Sequence, residues 1–183
     1  MKKLLRCLLM TVMALCFSLP CFSSAEAATV ALLPLINNVQ NDEAVGQVFY
    51  KESIAAMNAQ KGFMMVENDK LMAAIEATNI SNKVPSESAM IKIAKDGDVD
   101  IVIAIQLDKI EEETLFSSEE NKIKINILGR AVSYNSLTGE ARNRKIDHEV
   151  LIPEVFSSRW NVAHEEWGKV VRQEIKKALT AKK

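Results

Sequence analysis

The sequence predicts a mixed α/β domain of order β-α-β-α-α-β-β-β-α, and three patterns predict it. The first is the run Ile101-Val102-Ile103-Ala104-Ile105, preceded by Gly97-Asp98, which is too short for a free-standing helix and reads as a strand covered on both faces. The second is helix-period apolar spacing over 43–60, 69–78 and 87–96, each segment set off by a short polar or glycine-bearing break. The third is the alternation of Ile123, Ile125 and Ile127 with Lys122, Lys124 and Asn126, which describes a sheet with one dry and one wetter face. Helices between the early strands and hairpins between the late ones make the sheet mixed.

Ahead of these elements stands a leader. Met1-Lys2-Lys3 and Arg6 give it a positive start, residues 4–19 an apolar stretch, and Ala25-Glu26-Ala27 the small residues that a signal peptidase reads. Cleavage is expected after Ala27, leaving 28–183 as a single mixed α/β domain. A retained anchor would need about 20 apolar residues, and Pro20, Ser23 and Ser24 interrupt the run. All three cysteines, Cys7, Cys16 and Cys21, lie in this segment, so the mature chain has no thiol for a disulfide or for cysteine catalysis. Cys21 is disfavoured as a lipid acceptor, because Ser18-Leu19-Pro20 is a poor approach to it and the first strand follows with almost no tether. The chain has a net charge of −1, and losing the leader makes it slightly more acidic. Such a domain is not an obvious nucleic-acid binder.

The elements follow in order. Residues 29–36 form the first strand, with Pro34, which cannot donate to a ladder, at its exit or on an unpaired side. Asn41 or Asp42 caps a helix over 43–60 whose apolar face carries Val45, Val48, Phe49, Ala56 and Ala59, widened by Ile54 and Met57. A short strand over 63–66 precedes Asn68, which caps a helix over 69–78 with Leu71, Ala74 and Ile75 inward. Pro85 leads into a third helix over 87–96 that buries Met90, Ile91 and Ala94 and stops at Gly97. In the central strand Ile101, Ile103, Ile105 and Leu107 share one face, and Val102 and Ala104 the other.

Beyond Asp108 the chain continues as a hairpin. Ile110 breaks the alternation and marks a bulge, while Glu111-Glu112-Glu113 and Glu119-Glu120 bracket a serine-rich tip. The return strand covers 122–134, and Leu137-Thr138-Gly139-Glu140 turns it into a last strand over 141–152. That strand is charged at Arg142, Arg144, Lys145, Asp147 and Glu149, as an edge strand should be, and Pro153 closes it. The final helix, over 158–181, carries Trp160, Ala163, Trp167, Val170, Val171, Ile175, Ala178 and Leu179 on one long face.

Signals for chemistry are sparse. The glutamates of 111–120 lack the ligand spacing of a calcium loop, so they read as a solvated hairpin. His164-Glu165-Glu166-Trp167 begins like a zinc-protease helix, but Gly168 stands where the second histidine belongs. His148 is the only other histidine, and no serine lies in a Gly-x-Ser-x-Gly elbow. Glycine-rich phosphate loops are absent, so no metal, nucleotide or other cofactor is expected. Two features point to surfaces instead. Lys122, Lys124, Arg130, Arg142, Arg144 and Lys145 form a basic cluster on the last two strands, which can meet an anionic polymer or simply protect an edge. Trp160 and Trp167 suit an interaction surface, though tryptophans on a helix's apolar face are more often packing anchors.

Several stretches carry a family resemblance. Val30-Ala31-Leu32-Leu33-Pro34-Leu35, Gly62-Phe63-Met64-Met65-Val66-Glu67-Asn68-Asp69-Lys70-Leu71, Asp98-Val99-Asp100-Ile101-Val102, and Gly129-Arg130-Ala131-Val132 followed by Leu137-Thr138-Gly139-Glu140 occur in this order. Together they resemble the α/β domain shared by the TolB amino-terminal domain, the curli-secretion subunit CsgG and the lipoprotein activators of penicillin-binding proteins. Ala104 departs from a common glycine, Asp98 from the glycine of a Gly-Ala-Asp step, and the clear lipoprotein cysteine is missing. The resemblance implies no shared catalytic residues. It implies a non-enzymatic, extracytoplasmic envelope protein that acts by contact with envelope proteins or by assembly, homo-oligomers included. An envelope hydrolase is the rival class. A channel subunit is a further one, but the charged 111–120 hairpin is too short to span lipid.

Overall fold

The structure is a computed structural model that describes residues 27–40, 42–116, 121–154 and 159–180. The leader with its three cysteines, and Glu119 and Glu120 at the hairpin tip, lie outside the described residues.

One sheet of six strands organises the chain: β1 (Ala28–Leu32), β2 (Ile36–Asn37), β3 (Phe63–Met65), β4 (Ile101–Leu115), β5 (Lys122–Asn135) and β6 (Glu140–Pro153). Among the described residues four helices pack on it: α1 (Glu43–Asn58), α2 (Asp69–Ala77), α3 (Glu87–Gly97) and α4 (Arg159–Leu179). The strand order is β3-β1-β4-β5-β6, with β2 pairing β4 in line with β1. Strands β3, β1 and β4 are parallel, and β4, β5 and β6 form an antiparallel meander. The fold is the predicted mixed α/β arrangement with one more strand. Pro34 is exposed between β1 and β2 and splits the predicted first strand in two. Leu33 N–H still reaches the Ile103 carbonyl at 2.9 Å, so the break stays on the sheet.

The isoleucine run lies mid-sheet, and every residue from Ile101 to Leu107 is buried. Its faces separate as the alternation requires. Ile101, Ile103, Ile105 and Leu107 pack with Val45 and Phe49 of α1 and Trp167, Val171 and Ile175 of α4. Val102 and Ala104 pack with Leu71 of α2 and Met90 and Ile93 of α3. Burying each large side chain contributes about 1.5–3 kcal/mol, which makes this strand the fold's main anchor. Asp100 secures its entry by accepting from both the N–H and the hydroxyl of Thr29, each at 2.8 Å.

The first two helix starts follow the predicted caps, Asp42 accepting from Val45 N–H and Asn68 from Leu71 N–H, and the third is capped by Ser86, which follows Pro85 and accepts from Ala89 N–H. In α3 the buried stripe is Met90, Ile93, Ala94 and Gly97, and Ile91 is 40% exposed, which corrects the inward placement of Ile91. One residue of offset turns a side chain by about 100° on a helix, enough to carry it off the stripe. Ala59 is likewise exposed, because α1 ends at Asn58. Gly97 does not supply the left-handed stop; Asp98 does, at φ 55°. Gly97 lets α3 approach α2, since a Cβ there would stand 3.0 Å from Leu71 Cδ1.

The bulge falls between Leu107 and Lys109, with Asp108 the additional residue, two positions before Ile110. It reverses the pleat. Ile110 thereby turns back toward the α4 side, while Lys109, Glu111 and Glu113 face water. Opposite the bulge stands Gly129, where a Cβ would come within 2.3 Å of the Gln106 carbonyl oxygen.

Helices α1 and α4 run side by side on one face of the sheet. His164 meets Asp42, the Trp167 indole N–H donates to the Val45 carbonyl at 3.2 Å, and Arg172 pairs with Glu52, so the contacts advance together along both helices.

Candidate functional site

Two regions of the surface are candidate sites. The first is an apolar cleft of about 350 Å³ at the carboxyl ends of β1 and β3. The connection leaving β1 passes through α1 on one face, and that leaving β3 passes through α2 on the other, so a crevice opens between them. Leu32, Leu35, Phe49, Met65, Leu71 and Ile75 line it, and Tyr50 and Met72 stand on its rim at 57% and 40% exposure. Glu67 is the only carboxylate among the described residues that line it. Such a lining can hold an apolar group, but it offers no acid–base pair to move a proton. Sequence reasoning missed the cleft because it depends on two helices leaving adjacent strands on opposite faces. The available signals were Tyr50 and Met72, large apolar side chains off the buried stripes of α1 and α2.

The second region is the β6 edge, which carries Arg142, Arg144 and Lys145, while Lys122, Lys124 and Arg130 of the predicted basic cluster lie on the neighbouring β5. The three on β6 share one strand but not one patch, because even and odd positions point to opposite faces. Arg144 turns toward α4, donating to Glu174 Oε2 at 2.9 Å and to the Glu174 carbonyl at 3.2 Å. Arg142 grips Glu140 through two hydrogen bonds of 2.7 and 3.1 Å. Those bonds hold the Glu140 carboxyl below its ordinary pKa. Lys145 lies on the opposite, wet face and pairs with Asp147 at 2.6 Å. On that face Lys124 bonds Glu149 at 2.9 Å, which raises the Lys124 pKa. Lys124, Arg142, Arg144 and Lys145 are thus each matched by a carboxylate, an arrangement of alternating charge, whereas Arg130 stands opposite Lys145 in the β5–β6 register.

Trp167 is fully buried, so in the folded domain it packs α4 and presents no surface. Trp160 lies in the first turn of α4, and its side chain lies outside the described residues.

The two histidines have separate partners. His148 on β6 meets Glu166 Oε2 at 3.3 Å, and His164 meets the α1 cap Asp42 at 2.9 Å. No group of three or more metal-binding side chains occurs among the described residues. Glu166 also accepts from Lys169 at 2.5 Å. Burial works against ionisation of Glu166, yet the hydrogen bonds from Lys169 and His148 outweigh it and keep the carboxyl below its ordinary pKa.

No protein-family model and no curated protein matches this chain. Solved structures do. The hypothetical protein CT253 from Chlamydia trachomatis superposes with a TM-score of 0.52 at 10% identity, covering 85% of this chain and 99% of that one. Lipoprotein GNA1162 from Neisseria meningitidis has a TM-score of 0.41 at 16% identity over 80% of this chain and 96% of that one. The LpoB C-terminal domain from Escherichia coli has a TM-score of 0.37 at 12% identity over 74% and 90% of the two chains. The likeness to CT253 is one of fold. Among the described residues no helix is long and apolar enough to cross a membrane.

Proposed function

We propose that this chain is a non-enzymatic, exported domain of the cell envelope that works by contact with another protein or by assembly. Its leader is removed after Ala27, and the folded part begins at once, with Ala28 N–H already bonded to the Gly62 carbonyl at 2.9 Å. The observation that carries the reading is the β6 edge. Fourteen residues of strand end the sheet on that side, with no strand paired beyond them among the described residues. An unpaired edge of that length is a ready template for another strand. Arg142, Arg144 and Lys145 belong to this edge, and their interleaved charges serve selection of a partner more than bulk attraction.

The test is affinity capture from envelope extract with the exported protein, alongside Asn143→Pro. Proline at this outward position removes one edge donor and leaves the pairing with β5 intact. A stoichiometric envelope protein or a second copy retained by the parent and lost by the variant is the expected result. A chain that binds nothing, stays monomeric and turns over an ester or peptide substrate would overturn the proposal.

A further inference from the structure

The edge proposed above as the contact surface has a partner of its own chemistry: we infer that β6 pairs antiparallel with β6 of a second copy, about a twofold axis at Ile146. The inference rests on the surface-contact reading and narrows it to one occupant and one register.

The backbone comes first. Glu154 N–H donates to the Asn121 carbonyl at 2.9 Å, and the β5–β6 pairing then runs without a bulge from Lys122↔Pro153 to Asn135↔Glu140. In an unbroken antiparallel ladder alternate residues face the partner strand. Even-numbered residues of β6 therefore bond β5, and Asn143, Lys145, Asp147, Glu149 and Leu151 turn N–H and C=O to the free edge. Ser136 N–H, bonded to the Asp100 carbonyl at 2.7 Å, fixes the same parity from the other end of β5. Pro153, which has no N–H, falls in the outward set, where the missing donor does no harm to the β5 ladder.

Charge then selects the occupant. Within three or four residues of Ile146 the basic residues precede it (Arg142, Arg144, Lys145) and the acidic residues follow it (Asp147, Glu149), while Glu140 at the start of the strand is held by Arg142. A twofold axis at Ile146 sets Lys145 opposite Asp147 of the second copy, and Asp147 opposite its Lys145. The same register puts Asn143 against Glu149 and Ala141 against Leu151, which is 52% exposed. On the α4 side Arg144 meets His148, and Ile146 meets itself. Shifting the axis by one residue, to Asp147, would set that carboxylate against its own copy. A parallel copy would align like charges. Directly opposed unlike charges stabilise a strand pair and like charges destabilise it, so the edge is complementary to itself in this one arrangement.

Lys145 and Asp147 have side chains 69% and 55% exposed, so substituting them leaves the folded domain intact, which the melting curve verifies. The experiment is sedimentation equilibrium on the exported protein and on Lys145→Asp and Asp147→Lys, each alone and mixed. The parent is expected to dimerise with concentration. Each variant alone places like charges across the axis twice and weakens the dimer on the order of tenfold or more. Mixing the two variants restores unlike pairs, so a heterodimer forms where neither homodimer does. A parent that stays monomeric, or a dimer indifferent to all three substitution states, overturns the inference. If that monomer still captures an Asn143→Pro-sensitive envelope protein, the self-pairing fails and the broader contact reading stands.

Discussion

The two halves of the central meander contrast in how they are covered. From Ile101 to Leu107, β4 has helices on both faces, parallel β1 and β2 on one side and β5 on the other. Beyond Asp108 the meander keeps α4 on one face, where Ile123, Ile125, Ile127 and Ile146 are buried, and gives the other face to Lys109, Glu111, Glu113, Lys124 and Lys145. A strand enclosed on both sides can only be structure. A strand with a wet face and an unpaired edge remains available for contact. The contrast therefore separates what holds the fold together from the edge on which the proposed contact rests.

That division can be broken most strongly at Trp167, which locks α4 to α1 through full burial and its bond to the Val45 carbonyl. Trp167→Ala is expected to cost about 3–5 kcal/mol, read by urea denaturation, with hydrogen exchange rising first under α4. Unchanged protection there would show that α4 is not the cover of the distal half. At the boundary between halves, Gly129→Ala forces a Cβ against the Gln106 carbonyl and should cost about 1–3 kcal/mol. Its mark is local, a loss of amide protection in 109–128 with the Ile101–Leu107 amides retained; uniform loss would deny that the bulge separates the halves.

The smallest effect is acid-dependent. Because the folded-state pKa of Glu166 is depressed, its ion pair with Lys169 contributes fully at neutral pH, and that stability is lost as pH falls below the ordinary glutamate value of about 4.3. Glu166→Gln should lower the melting temperature at pH 7 and close the gap to the parent near pH 3. An equal difference at both pH values would remove the carboxylate from the account.

The sequence carried much of this in its periods. Period two in 122–128 announced the one-sided sheet, and the continuous apolar run at 101–105 announced the two-sided one, because side-chain direction alternates strictly along a strand. The caps Asp42 and Asn68 were legible because their side chains act within three residues. Ile91 was not, since its neighbour Ile93 competes for the same stripe and only the packing against α2 and β4 chooses between them. The site was less legible still. Arg142, Arg144 and Lys145 could be picked as charged edge residues, but their ion-pair partners Glu140, Glu174 and Asp147 depend on which face each side chain takes.

The sequence by itself determined the element order, the central place of the isoleucine strand and the charged character of the last one, because these follow from local periodicity and propensity. Only the tertiary structure decided that Pro34 divides the first strand, that a cleft opens between β1 and β3, and that the odd positions of β6 face outward. Each of these is set by pairing register and by the face on which a helix crosses, and both arise between segments far apart in the chain.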